Sequence, residues 1–543
     1  MVSARVRRAL AATVAATLVG SLTLVTPAQA GAQNNSAKRL TKAVTLKGVL
    51  RHLDAFQKIA DAHGGNRGSG LPGYDASADY VAGKLKKAGY TVTRQPFEFN
   101  FFEEFGSSFA RTAPPPATGY VAGTDYDLMD FSGAGDVTAS VVPVDLALTP
   151  PRTSTSGCEA SDFPSAVTGR IVLVQRGGCP FGQKVTNAEA AGAVGAILMN
   201  QGDGDPVTNV DRYALFAGTL GNPVGIPAVS VSYYLGEQLA ATADLAVRIT
   251  ADTTSEIRAT ENVIAERRTG RADNVVMAGA HLDSEPDTAG INDNGTGSAA
   301  LLEVALQMAK VKSNNRVRFA WWGAEEANLV GSTFYVNSLT AEQVDDLALY
   351  LNFDMIGSPN YVFGVYDGDD SAQTGAGPGP EGSAQIEDVF ESFFARRGLP
   401  TNAADFTGRS DDGPFIAVGV PAGGLFTGAE VLKTAEDVAK YGGVEGAQYD
   451  PCYHDPCDSL RPIADGADAA LYAQLRSQYR LYGNVNTYAL DVNADALATA
   501  VITFAYDTSA VNGVRSPGKS HGKPHGRSHG ADRSADAHGN ALR

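Results

Sequence analysis

Long apolar runs are missing from this chain except at its amino terminus. There, three arginines precede an apolar run at residues 9–25, and the small residues of Ala28-Gln29-Ala30 follow. This combination is typical of a secretory signal peptide that is cleaved on export. A membrane span needs about 18 continuous apolar residues, and no later stretch supplies them. We therefore expect a secreted, extracellular protein with no membrane partner.

Positive charge is in the minority. Lysine and arginine number 43 against 60 aspartates and glutamates, and the formal net charge is −17. Binding to nucleic acid usually needs a basic face, so this balance argues against nucleic acid as a partner. It suits an exported protein that holds cations. The hydrophobic content of 43% is ordinary and allows sizeable buried cores.

Cysteine is limited to four residues. In an exported chain they indicate two disulfides, and the simplest pairing joins Cys158 to Cys179 and Cys452 to Cys457, because each pair lies within one local segment. The alternative for 452-CYHDPC-457 is a Cys/His zinc site. That alternative lacks a fourth ligand nearby.

Histidine is scarce as well, with eight residues, four of them near the carboxyl terminus. Of the others, His52 and His63 lie on or just after a predicted helix at residues 46–62 and have no carboxylate at a ligand spacing. We interpret them as ordinary helix residues. His281 differs, because it lies in the Gly-rich stretch 279-GAHLDSEPDTAGINDNGTGSAALLEVA-305 together with Asp283 and Asp293.

Apolar strand-like runs and helical patterns alternate after about residue 250. The runs at 274–283, 316–326 and 347–357 are separated by helical patterns such as 297–311. This alternation predicts an α/β fold with a mixed, mostly parallel sheet covered by helices on both faces. Ligands bind such sheets at the carboxyl ends of the strands.

Each of the three runs ends in side chains that can bind metal. His281 and Asp283 end the first run, Glu325 and Glu326 the second, and Asp354 the third. We expect these side chains to meet at one edge of the sheet.

Each residue also has a simpler interpretation. Asp293 could cap the helix that follows it, stabilised by exposed amides and the helix dipole. Glu325 and Glu326 could be a solvated pair at a strand end. Asp354 is harder to explain, because an unpaired buried carboxylate costs several kcal/mol and needs a cation, a proton or several donors.

Six ordered motifs resemble a known family as a set. The chain resembles the secreted bacterial di-zinc aminopeptidases of the leucine aminopeptidase and aminopeptidase S type from about residue 45 to 510. The motifs are 280-AHLDS-284, 290-GINDNGTGSAALLE-303, 321-WWGAEE-326, 352-NFDMIG-357, 408-GRSDDGPF-415 and 453-YH-454. The resemblance implies a zinc-exopeptidase fold, of the phosphorylase/hydrolase-like kind, and a metal-dependent hydrolase.

The resemblance also implies a ligand set for two Zn²⁺ ions per chain. His281 and Asp354 would hold one ion, Glu326 and His454 the other, and Asp293 would bridge both. Each ion would then have one imidazole, one carboxylate and the shared aspartate. Open positions would remain for water and substrate, as a catalytic zinc site requires.

Further roles follow from the same resemblance. Asp283 would accept the second ring N–H of His281. Glu325 would be the general base that takes a proton from the attacking water. Tyr453, in the loop closed by Cys452 and Cys457, would donate its hydroxyl to the oxyanion of the tetrahedral intermediate.

Other matches are less specific. Arg409, Ser410 and Asp411 correspond to a motif that lines the substrate pocket in the family. Where the family has a glycine after GAEE, this chain has Asn328, and asparagine tolerates positive φ better than other non-glycine residues. The loop 366-YDGDD-370 could attract Ca²⁺, but it lacks the full twelve-residue ligand pattern.

The domain organisation is predicted from changes in composition and sequence pattern along the chain. Residues 1–30 are the signal peptide, and 513–543 are a His-rich tail whose composition cannot form a core. Residues 126–248 resemble a protease-associated domain, with strand–turn–helix–strand patterns and no cluster of His, Glu or Asp. This insert would divide the peptidase domain into 31–125 and 249–512, and aminopeptidase Y-like enzymes carry the same insert.

The predicted function is that of a secreted zinc aminopeptidase. It would act as a monomer on peptides or proteins with a free amino terminus and release apolar, leucine-like residues. One alternative is a related di-zinc carboxypeptidase, which would need a basic pocket for the terminal carboxylate. Another is a non-catalytic binding protein on the same scaffold. Loss of metal ligands would mark that case, and all five ligand positions are filled here.

Overall fold

The computed structural model describes residues 34–373, 375 and 377–514. The predicted signal peptide and nearly all of the predicted tail lie outside these residues. The helices are α1 (Ala37–Ala43), α2 (Leu46–Ala62), α3 (Pro72–Ala88), α4 (Phe181–Ala190), α5 (Tyr233–Ala241), α6 (Gly295–Met308), α7 (Val330–Asn337), α8 (Ala341–Asp345), α9 (Ser383–Ala395), α10 (Gly413–Ala417), α11 (Ala435–Tyr441), α12 (Ala469–Gln478), α13 (Thr487–Tyr506) and α14 (Ser509–Asn512).

The strands are β1 (Thr91–Ala113), β2 (Thr118–Tyr120), β3 (Tyr126–Leu128), β4 (Gly135–Pro143), β5 (Ile171–Gln175), β6 (Gly195–Met199), β7 (Ala228–Val231), β8 (Ala246–Glu266), β9 (Arg271–His281), β10 (Asn315–Trp322), β11 (Leu347–Phe353), β12 (Gly364–Tyr366), β13 (Asn402–Ala404), β14 (Ala422–Phe426), β15 (Leu481–Tyr482) and β16 (Val485–Asn486). Short 3₁₀ helices occur at Ala160–Asp162, Ser165–Val167 and Val210–Arg212.

The predicted mixed sheet forms the centre of the molecule. Its first half has the strand order β13-β12-β14-β11-β9-β10-β8. Strands β14, β11, β9 and β10 run parallel, whereas β8 pairs antiparallel with β10 and β12 pairs antiparallel with β14 and parallel with β13. The predicted fold class is therefore confirmed.

Helices cover both faces of this sheet because successive side chains of its strands point to opposite sides. In β9, Val276 and Ala278 join the core formed with α2, α6 and α13, whereas Val275 and Met277 join a second core with Phe415 on the other face. A strand buried on both faces has to be almost entirely apolar, as β11 and residues 275–280 of β9 are.

A long antiparallel ribbon joins the two halves of the molecule. Strands β1 and β8 pair along nearly their whole length. The first part of β8 also pairs with β4, and its last part pairs with β10. The second half continues as β4-β5-β6-β7-β3, with α4 and α5 packed against β6. The predicted disulfide between Cys158 and Cys179 is present in this half.

Two element boundaries differ from the patterns in the sequence. The helical pattern that the sequence shows at residues 77–89 corresponds to α3, which begins earlier, at Pro72, because proline is well tolerated in the first turn of a helix. The run 316–326 ends as a strand at Trp322, so Glu325 and Glu326 lie in the turn that follows. Within the described part of the chain, no helix combines the length and apolarity that crossing a membrane requires.

The core around α6 generates a stability prediction. Leu301 on this helix is fully buried. Leu301→Ala should lower the free energy of unfolding by about 2–5 kcal/mol, because the lost contacts leave a cavity. Leu432, which is 57% exposed, is the matched control, and Leu432→Ala should change stability by roughly 0.5 kcal/mol or less. Urea unfolding followed by circular dichroism measures both, and equal midpoints would contradict the role of this core.

Candidate metal centre

Acidic and imidazole side chains lie together at one edge of the sheet, where three neighbouring strands end, as predicted. Strand β9 ends at His281, and Asp354 directly follows the adjacent strand β11. Nε2 of His281 lies 3.3 Å from Oδ1 of Asp354 and 3.9 Å from Oε2 of Glu325. In the register of β9 and β10, His281 is the partner of Trp322, so the turn carrying Glu325 starts beside the imidazole.

Asp293 lies between the two histidines of this edge. Its Oδ1 is 3.2 Å from Nε2 of His281, and its Oδ2 is 3.4 Å from Nε2 of His454. Nε2 of His454 is also 3.1 Å from Oε2 of Glu326. One carboxylate thus presents a different oxygen to each imidazole, which is the geometry that a bridging ligand requires.

The backbone around Asp293 is fixed by its neighbours. Asp458 accepts the backbone N–H groups of Asn292 and Asp293 at 2.8 and 2.9 Å. Asn294 caps α6 by accepting the N–H of Gly297. A Cβ at Gly297 would lie 2.2 Å from the carbonyl oxygen of Phe353. Glycine therefore allows the first turn of α6 to abut the end of β11 and brings Asp293 close to Asp354.

Arg67 is a fully buried cation beneath the loop that carries Asp283 and Asp293. Its guanidinium donates to the carbonyl oxygens of Leu282, Ala289 and Gly290. These bonds hold both ends of the loop. Burial lowers the pKa of Arg67 to about 10, while the nearby carboxylates oppose this shift, so the side chain stays charged at neutral pH.

Positive φ angles cluster beside the ligand positions. Ala324 (φ 52°), Met355 (φ 45°) and His454 (φ 57°) all adopt the left-handed conformation that favours glycine. Asn328 has φ 71°, as predicted from its place after the GAEE motif. Such strained residues persist only where the surrounding structure determines them, and they are enriched at functional sites.

A second carboxylate approaches the other ring nitrogen of each histidine. Oδ1 of Asp283 is 3.6 Å from Nδ1 of His281, and the same nitrogen is 3.2 Å from the backbone oxygen of Asp283. Oε1 of Glu285 is 3.6 Å from Nδ1 of His454. Asp283 was predicted from the sequence and Glu285 was not, although Glu285 lies only two residues further along the same loop.

The carboxylates around His281 and His454 form a cluster that concentrates negative charge in a buried space. Burial, followed by repulsion from Asp293, raises the pKa of Glu326 to about 8. Burial also raises the pKa of Glu325 well above its usual range. Burial alone would lower the pKa of His454, but its bonds to Asp293 and Glu326 raise it to about 11. The site therefore favours additional positive charge, either as protons or as metal ions.

Tyr453 stands beside the cluster in a short chain of polar contacts. Its ring stacks on His454 with centroids 3.8 Å apart. Its hydroxyl accepts a hydrogen bond from Nη2 of Arg409 at 3.1 Å, and Nη1 of Arg409 donates to Glu430 at 2.7 Å. The predicted disulfide between Cys452 and Cys457 closes this loop, which rules out the alternative zinc site made by these cysteines.

Ser410 and Asp411 of the GRSDDGPF motif are buried. Oγ of Ser410 donates to Oδ2 of Asp354 at 2.6 Å and accepts from the side chain of Asn352 at 2.7 Å. Ser410 therefore orients Asp354 from behind. Asp411 is fully buried, and burial raises the pKa of its carboxyl group to about 8.

Other polar groups lie outside the cluster. His52 contacts the hydroxyl of Tyr80 and the carboxylate of Glu303. The loop considered for Ca²⁺ brings Asp367 and Asp369 near Glu387. Backbone N–H groups already occupy the carboxylates of Asp367 and Glu387, so this second cluster has less need of a cation.

The inner cluster has the donors that zinc prefers. His281, Asp293 and Asp354 present ligand atoms within 4.8 Å of one another. On the other side, His454 and Glu326 complete a second set with Asp293. Among the described residues, Oε1 of Glu326 is buried and has no hydrogen-bond partner, as expected for an oxygen that binds a metal. Imidazole and carboxylate donors with open positions fit catalytic zinc.

Comparison with known proteins agrees with this geometry. The family model of peptidase family M28 matches residues 262–477, and the PA domain model matches 137–239, within the predicted insert. An aminopeptidase of Pseudomonas aeruginosa is 45% identical over 476 residues, which cover 87% of this chain and 83% of the relative. Leucine aminopeptidase 2 of Trichophyton tonsurans is 40% identical and covers 79% and 82%.

A solved structure supports the fold. A zinc aminopeptidase from Bacillus subtilis is 22% identical and aligns with a TM-score of 0.53, covering 84% of this chain and 95% of its own. The family resemblance stated from the motifs is thus confirmed, and the chain belongs to peptidase family M28, with a PA domain inserted before its metal-binding half.

Proposed function

We propose that the protein is a secreted, monomeric aminopeptidase that holds two zinc ions and releases apolar, leucine-like residues from peptides with a free amino terminus. The observation that carries this proposal is the position of Asp293 between His281 and His454. His281 and Asp354 would hold one ion, Glu326 and His454 the other, and Asp293 both. When bound, the ions would polarise the scissile carbonyl and activate water.

Glu325 is suited to be the general base. It lies beside the ligands, and its burial raises its pKa, which makes the carboxylate a better proton acceptor. It would take the proton from the attacking water and pass it to the amine of the leaving peptide. Asp283 accepts the backbone N–H of Glu325 at 3.3 Å, which ties the base to the His281 loop.

Tyr453 is suited to stabilise the tetrahedral intermediate. Because its hydroxyl oxygen accepts from Arg409, its own proton remains available for the developing oxyanion. Burial keeps the pKa of Tyr453 far above neutral, so the hydroxyl carries this proton during turnover. Glu430 holds Arg409 in position.

The acidic surroundings favour the amino terminus of a peptide over its carboxyl terminus. The free ammonium group would be attracted by carboxylates at the rim, such as Glu285, which is 30% exposed. A terminal carboxylate would be repelled by the same groups.

We further propose that residues 31–125 and 249–512 form the peptidase domain and that 126–248 form the insert.

Chelation should abolish the activity reversibly. Leucine p-nitroanilide should be cleaved, and the same compound with a blocked amine should not, because only the free amine is recognised. A chelator should stop cleavage and added zinc should restore it, measured by release of p-nitroaniline. Cleavage of carboxyl-terminal residues instead would favour the carboxypeptidase alternative. Binding of two zinc ions without any hydrolysis would favour a binding protein.

Replacing the general base should separate chemistry from metal binding. Glu325→Gln should lower kcat by about 10²–10⁴-fold, the usual contribution of general-base catalysis. Its zinc content, measured by plasma mass spectrometry, should match that of the wild type. Glu436, whose side chain is 77% exposed, is the control for the same substitution at the surface. A Glu325→Gln enzyme of near-normal kcat would remove Glu325 from the mechanism.

The role of the Tyr453 hydroxyl can be tested by removing its oxygen atom. Tyr453→Phe should lower kcat by about 10²-fold or more with little change in KM, because an oxyanion donor acts mainly in the transition state. Tyr488, which is 47% exposed, is the control, and Tyr488→Phe should leave kcat unchanged. An equal rise in KM with unchanged kcat would instead assign Tyr453 to substrate binding.

A further inference from the structure

The two histidines of the candidate metal centre have similarly arranged carboxylate neighbours, although Nδ1 of His281 also lies 3.2 Å from the backbone oxygen of Asp283. In each, Nε2 faces the inner carboxylates, which include Asp293, and Nδ1 lies 3.6 Å from a carboxylate oxygen on the other side of the ring, here called the outer carboxylate. The outer partner is Asp283 for His281 and Glu285 for His454. A metal-binding histidine commonly donates its second ring N–H to such a partner, which fixes the tautomer and the ring plane.

One short loop supplies both outer carboxylates. Ser284, between them, anchors the loop by donating to the carbonyl of Thr288 and accepting the backbone N–H of Arg67. Glu285 is thereby brought to a histidine that lies far along the chain, in the loop closed by Cys452 and Cys457. Glu285 is therefore positioned by a hydrogen-bonded loop and is not a freely mobile surface side chain.

The two pairs differ in their exposure to water. The side chains of His281 and Asp283 are each 1% exposed, whereas those of His454 and Glu285 are 36% and 30% exposed. The imidazole of His281 is also confined by its buried surroundings. The imidazole of His454 has water on one side, so its orientation depends more on a directed partner.

We propose that Glu285 is a positioning residue for His454: its carboxylate accepts the Nδ1–H, keeps the Nε2 lone pair directed toward the space shared by Asp293 and Glu326, and so sets the zinc affinity of that side. This inference rests on the proposed two-zinc function. It also implies that the ion on the exposed His454 side exchanges more readily than the ion on the buried His281 side.

Zinc titration of the metal-free full-length protein by calorimetry tests the proposal. His454→Ala identifies the binding step of the His454 side, because that step should disappear. Glu285→Ala should raise the Kd of the same step by about 10–100-fold and leave the other step unchanged. Glu285→Gln, which keeps an oxygen that can accept the Nδ1–H, should lose less affinity.

Asp455 provides the matched control. It is exposed, adjacent to His454 and carries the same charge as Glu285. Asp455→Asn should change either Kd by about threefold or less, since exposed charges are screened. If Glu285→Ala weakens zinc no more than Asp455→Asn does, or raises KM without changing zinc affinity, the inference is wrong while the two-zinc function stands. A wild-type protein that binds fewer than two zinc ions would overturn both.

Discussion

The position of the Asp293 carboxylate is the constraint on which the rest of the site depends. To present one oxygen to each of two imidazoles, its backbone must be immobile. Asp458 holds two consecutive N–H groups there, and Asn294 starts α6 directly after it. Gly297 removes the side chain that would separate this helix from the end of β11. The start of α6, the loop before it and the geometry of the candidate ligands therefore all depend on the position of Asp293.

Charge balance is the second constraint. Several carboxylates are buried close together, and an isolated buried charge of this kind is costly. A permanent counter-charge comes from the guanidinium of Arg67, whose pKa near 10 keeps it protonated. The guanidinium is occupied by three carbonyl oxygens of the loop. It stabilises the acidic cluster from below and leaves the carboxylate oxygens free for metal.

The clustering of the inner candidate ligands could be predicted from the sequence because they follow a rule of the fold. Strand ends of a parallel sheet meet at one edge, so His281 and Asp354 could be placed together from their positions alone. The resemblance added His454 and Glu326. It could not reach Glu285 or Glu430, because their partners, His454 and Arg409, lie in distant or separate loops with no periodic pattern. The β1–β8 ribbon was likewise missed, since pairing over such a separation leaves no local signal.

The two sides of the centre are unequal, and this inequality matches the division of labour in peptide hydrolysis. His281, Asp354 and Ser410 are buried, and Glu325 lies among them, where a low dielectric keeps the carboxylate basic. Exposed groups stand on the other side: His454 and Arg409 are 36% and 59% exposed at their side chains. Tyr453 lies on that side, stacked on His454. In the proposed mechanism, proton transfer would therefore take place in the buried half and substrate contact in the half exposed to solvent.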